Sequence, residues 1–138
     1  MIRLGPLEET YWLDLLPGVR VRFRRITPAM MLVARQEVRR VLADGAEEDA
    51  TVAGGEALTR TLARRGVVEW EGVGDADGNP IEATPEAVDL LMEHWPAYDA
   101  VDRLYVGPAF VMSAEKNGSS NSPDGTSAEA PTTALPAA

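Results

Sequence analysis

Immediately after Pro17-Gly18 the chain reads Val19-Arg20-Val21-Arg22-Phe23-Arg24. A strict period of two fits an extended strand, because successive side chains of a strand leave on opposite faces. Val19, Val21 and Phe23 then share a face that needs cover. Arg20, Arg22 and Arg24 share the other face and need water or counter-charge. Pro-Gly is turn chemistry, so the preceding apolar run becomes the partner strand. The pattern predicts a hairpin of Trp12–Leu16 and Val19–Arg25, with the arginines outward.

The period then changes from 2 to 3.6. Thr27 is a suitable N-cap and Pro28 a suitable first helical residue. Met31, Ala34, Val38, Val41 and Leu42 recur on one side, with Arg35, Gln36, Arg39 and Arg40 on the other, which predicts a helix over Pro28–Ala43. The acidic, small-residue stretch from Ala46 to Gly55 reads as a connection. A second helix is predicted over Glu56–Arg65, with Leu58 and Leu62 inward and Gly66 as its stop. "VVEWEGV" alternates as a short strand or extended segment. Thr84-Pro85 repeats the cap-and-proline start, and Val88, Leu91, Met92 and Trp95 predict a helix over Pro85–Trp95. Pro96 opens a last one, Ala97–Val106, with Gly107-Pro108 bending or ending it. The expected core is Val21, Phe23, Val38, Leu42, Leu58, Leu62, Val88, Leu91 and Tyr105.

From Asn117 the composition turns to Ser, Thr, Ala, Pro and Gly with one large aliphatic residue, Leu135. Such a segment cannot bury enough surface to offset its ordering entropy. The fold class expected is therefore α+β and helix-rich: an N-terminal β-hairpin, a small helical bundle and a disordered C-terminal tail. One folded domain over residues 1–115 is expected, with the tail over 116–138.

Chemistry is thinly represented. The 138 residues contain no cysteine and one histidine, His94. Disulfides, thiolate metal sites and Cys/His pairs are thereby excluded. No run approaches the ~20 apolar residues of a membrane helix, and the N-terminus lacks a signal-peptide core, so a soluble cytoplasmic protein is expected. Asp75, Asp77, Asn79 and Glu86 occupy calcium-loop positions, but Pro80 and Glu82 fall where such a loop needs glycine and an aliphatic residue. Asp-Gly followed by Asn-Pro reads instead as a reverse turn. No metal, cofactor or catalytic residue is assigned, and no enzyme is expected.

The net charge is −9, unevenly spread. Residues 1–65 hold 11 basic and 9 acidic side chains, and residues 66–138 hold 2 and 13. Overall acidity argues against nucleic acid as a partner. Polarised charge suits a protein partner or a second copy of the chain.

The run W-x-G-V-x-D-x-D-G-N-P…T-P-E-A-V, Trp70 to Val88, resembles the tail assembly chaperones of long-tailed phages and prophages. "WPAYDAVDRLYVGPAF" and the polar tail opening "EKNG", with "SPDGTSA" after it, extend the likeness over roughly residues 10–128. The resemblance implies a non-catalytic protein of the bacterial host cytoplasm that binds the tape-measure protein. It also implies help for the major tail protein in polymerising around it, and absence from the mature virion. Trp12, Met30, Met31, Arg35, Arg39, Trp95 and Tyr98 are the candidate partner-contact residues. A small neck or tail component of the virion is the main alternative, followed by a regulatory nucleic-acid binder using the Arg20–Arg40 region.

Overall fold

The structure, a computed structural model, describes residues 1–44 and 49–110. Its larger compact unit is Gly5–Gly107. The expected tail over 116–138 lies outside the described residues.

Strands β1 (Thr10–Leu16) and β2 (Val19–Arg24) form the hairpin, two residues longer at its start and one shorter at its end than the pattern predicts. Proline followed by Gly18 at φ 80° makes the turn, since only glycine enters that region without strain. The register slips between Asp14 and Leu16, and the bulged Leu15 is buried. β3 (Val67–Glu71) pairs antiparallel with β2, giving a three-stranded sheet in the order β1-β2-β3. Val21 and Phe23 are fully buried and Arg20 and Arg24 exposed, as the alternation requires.

Helix α1 (Pro28–Asp44) starts where Thr27 accepts a hydrogen bond from the Met30 amide at 3.2 Å. α2 (Ala50–Gly66) begins six residues earlier than the expected Glu56. The stretch Ala50–Gly55 is therefore helix rather than connection. Gly54 is buried, and a Cβ there would lie 3.4 Å from Val38 and 3.9 Å from Leu42. The glycine permits close approach of α1 instead of breaking α2. α1 packs chiefly on α2, and Ala34 is its only buried residue. Val38 is half-buried and Leu42 exposed, contrary to the expected core.

Residues Thr59, Leu62, Ala63 and Gly66 form the buried stripe of α2, at the i, i+3, i+4, i+7 spacing of one helical face. Leu58 lies beside that stripe and is half-buried. α3 (Pro85–Leu91) is capped by Thr84, which accepts from the Ala87 amide at 3.1 Å. It ends four residues before the expected Trp95, and a turn over Met92–His94 separates it from α4 (Trp95–Val101). Leu91 is consequently half-buried, and Trp95, expected on the inner face, is 68% exposed. The last predicted helix divides too: Asp102–Val106 is a π-helical turn in which the Gly107 amide donates to the Asp102 carbonyl. Pro108 has no N–H to donate back along a helix, and the widened turn lies directly before it.

One core joins these elements. Phe23 stacks on Tyr105 with ring centroids 4.0 Å apart, and Leu62, Val88, Met92, Ala100 and Val101 surround them. The Tyr105 hydroxyl donates to the Arg24 carbonyl at 2.8 Å, satisfying the phenol inside the core. Among the described residues no helix is long and apolar enough to cross a membrane.

Candidate functional site

The arginine stripe of β2 meets its counter-charge within the sheet. The β2/β3 register places Arg20 opposite Glu71 and Arg22 opposite Glu69. Arg22 reaches Glu69 at 2.6 Å, and Arg20 lies 3.1 Å from Asp14 and 3.6 Å from Glu71. Trp12 lies beneath the Arg20 guanidinium, 4.8 Å from the ring centroid. Arg24 donates to the Arg65 carbonyl at 2.9 Å, tying β2 to the C-terminal end of α2. These pairs are solvent-exposed and individually worth little, but they leave the face nearly neutral.

Nor does the acidic Asp75–Asn79 stretch offer open ligands. One oxygen of Asp75 accepts from the amides of Asp77 and Asn79, both at 2.9 Å. The Asp75 amide donates to the Asn79 carbonyl at 2.8 Å, and Gly78 has φ 86°. The stretch is a closed turn. Trp70 holds its far side by donating to the Ile81 carbonyl at 2.8 Å. Among the described residues no three His, Cys, Asp or Glu side chains gather closely enough to hold a metal.

The seven candidate contact residues lie on separate surfaces. Met30 and Met31 are half-buried and pack against the core from the first turn of α1. Arg35 and Arg39 stand on the exposed side of that helix. Trp12 belongs to the outer sheet face. Only Trp95 and Tyr98 meet, stacked at 6.0 Å across the first turn of α4. Burial raises the Tyr98 phenol above its ordinary value, and the bond to Thr59 opposes this. Thr59 itself is buried and donates to the Asp102 carboxylate at 3.0 Å.

A different feature has the dimensions of a binding site. Between α1, α2 and α3 runs an open groove of about 880 Å³. Val33 and Val41 of α1, Ala53 and Ala57 of α2, and Leu90 of α3 supply its apolar lining. Charged pairs edge it. Arg60 bonds Glu56 and Glu93, Arg64 reaches Asp89 at 3.0 Å, and Glu37 is bound by Arg40. The Arg40 bond holds the Glu37 carboxyl below the usual range. Burial disfavours the Arg60 charge, but its bonds to Glu56 and Glu93 outweigh that and raise its pKa. The groove is absent from the predicted contact set because the helix carrying Ala53 and Ala57 was expected to start at Glu56. The four-residue spacing of those alanines is the signal that would have located it.

Comparison with descriptions of protein families, with curated proteins and with solved structures finds no match to this chain.

Proposed function

We propose that this chain is a tail assembly chaperone of long-tailed phages, acting in the host cytoplasm on the tape-measure protein and through it on the major tail protein. The observation that carries the reading is the groove between α1, α2 and α3. Its lining combines apolar side chains with charges of both signs, the chemistry that an amphipathic helix presenting anchors at helical spacing would match. The Trp70–Val88 run, on which the resemblance rests, contributes the turn that leads into α3. A tape-measure protein is long, helical and poorly soluble alone. A chaperone for it needs such a groove on an otherwise charged surface.

The test is co-expression with a tape-measure protein from the same phage or prophage. Its soluble yield rises with the wild-type chain and falls with Ala57→Arg, which fills the groove floor without removing a core contact. If the tape-measure protein stays insoluble with the wild-type chain and this protein co-purifies with mature particles, the virion-component reading replaces the chaperone.

A further inference from the structure

The groove between α1, α2 and α3 is electrically uneven along its length. Toward the start of α2, Glu56 and Glu93 share the single guanidinium of Arg60. Two carboxylates against one cation leave that end acidic. One turn further along α2, Arg64 is matched by Asp89, and Glu37 across the groove is matched by Arg40. Arg65 is different. Its carbonyl accepts from Arg24, but its exposed side chain lines the groove and, among the described residues, enters no ion pair. The other end of the groove is therefore basic. Glu56 and Arg65 are nine positions apart, which is about two and a half turns and roughly 13 Å along the axis. The half turn sets them on opposite flanks of α2, with the apolar lining between them.

We propose that the groove selects a dipolar ligand: an amphipathic helix carrying a basic residue on one flank of its apolar stripe and an acidic residue on the other, about two and a half turns away. This rests on the groove reading above and adds the charge pattern of the segment bound. The basic residue meets Glu56 and Glu93, and the acidic residue meets Arg65. A helix basic at both places would set a cation against Arg65. One acidic at both would set a carboxylate against Glu56 and Glu93. Like charges brought together suppress wrong partners. Arg65 is thereby the residue that determines specificity, since every other cation lining the groove is already matched.

Fluorescence anisotropy with the full chain and three labelled peptides tests this. Each peptide is a designed helix of about 20 residues, long enough to be helical, with one apolar stripe. The two flanking charges are basic and acidic, both basic, or both acidic. The wild-type protein binds the mixed peptide on the order of fivefold more tightly than either of the others, the scale of exposed ion pairs. The gap closes at about 0.5 M salt, where such charges are screened. Arg65→Glu makes both ends of the groove acidic and switches the preference to the doubly basic peptide. Arg65→Gln, which keeps the side chain and removes its charge, narrows the gap between the mixed and doubly basic peptides. Equal binding of all three peptides by the wild type, lost in Ala57→Arg, overturns the dipolar ligand and leaves the groove as a binding site. An order of affinities unchanged in both folded Arg65 variants overturns it too. Binding of none of the three removes the groove reading itself, and this inference with it.

Discussion

The Tyr105 hydroxyl occupies the space where a side chain at position 66 would begin: a Cβ built on Gly66 would stand 2.0 Å from that oxygen and 2.7 Å from the ring carbon bearing it. α2 therefore ends at a residue without a side chain, and β3 follows directly. This lets the phenol pass the end of α2 and reach the Arg24 carbonyl. Gly66→Ala overpacks that passage and lowers stability by about 1–3 kcal/mol. Tyr105→Phe loses the buried hydrogen bond, about 1 kcal/mol or somewhat more because the carbonyl is left unpaired. The double variant loses less than the sum, since removing the oxygen relieves the nearest contact. Urea unfolding of the four proteins measures the coupling.

Gly54 has the opposite outcome. A Cβ there meets Val38 at ordinary contact distance, and alanine favours helix over glycine by about 1 kcal/mol. Gly54→Ala leaves stability unchanged or raises it, whereas Gly54→Leu forces α1 away and lowers it. Thermal melts of both variants separate the two effects.

The contrast explains what could be read from the sequence. Val19–Arg24 was legible because its period is short and its turn is marked by Pro17-Gly18. The start of α3 was legible because Thr84-Pro85 is a local cap. Gly54 and Gly66 look alike in sequence, yet one faces a neighbouring helix and the other a tyrosine 39 positions later. Leu42 fits the apolar period of α1 but is exposed, because that helix packs on the core through its first turns and Ala34 and chiefly on α2 elsewhere. Both "VRVRFR" and "EWE" could be seen to alternate. Only the pairing of β2 with β3 shows that they neutralise each other. The groove needs three helices at once, and the extent of α2 was hidden by its glycines.

Burial pushes the Tyr105 phenol well above its ordinary 10.0, and burial also raises Tyr11 and Tyr98. A raised folded-state value means that the native protein holds the proton longer than the unfolded chain does. The stability is fully present below pH 10, and falls as pH rises through and beyond the unfolded value. Absorbance of phenolate during an alkaline titration appears late and together with loss of circular dichroism. Phenolate forming at the ordinary pH with the fold intact contradicts this burial.

Asp75 has a structural role in the acidic turn. Asp75→Ala removes acceptors for two amides and lowers stability by about 1 kcal/mol. Calcium at 1 mM leaves the melting temperature of the wild-type protein and of the variant unchanged, because the aspartate oxygen already faces backbone amides. Differential scanning calorimetry with and without calcium checks both statements.

Met30 and Met31 separate folding from the client binding we propose. Both pack against the core from the first turn of α1, where the Thr27 cap fixes the helix start. Met31→Ser therefore lowers stability by about 1–2 kcal/mol through lost apolar burial. On the proposed chaperone reading, any loss of tape-measure solubility it causes follows from unfolding and is recovered at lower temperature. Ala57 lies in the groove lining and is half-buried. Ala57→Arg retains a strong helix former and extends a charged side chain into the groove, so melting changes little. If the groove holds the client as proposed, client solubility is then lost at every temperature at which the protein is folded. Parallel melts and solubility assays of the two variants distinguish a damaged scaffold from a blocked groove. Equal behaviour of the two in both assays removes the groove as the contact surface.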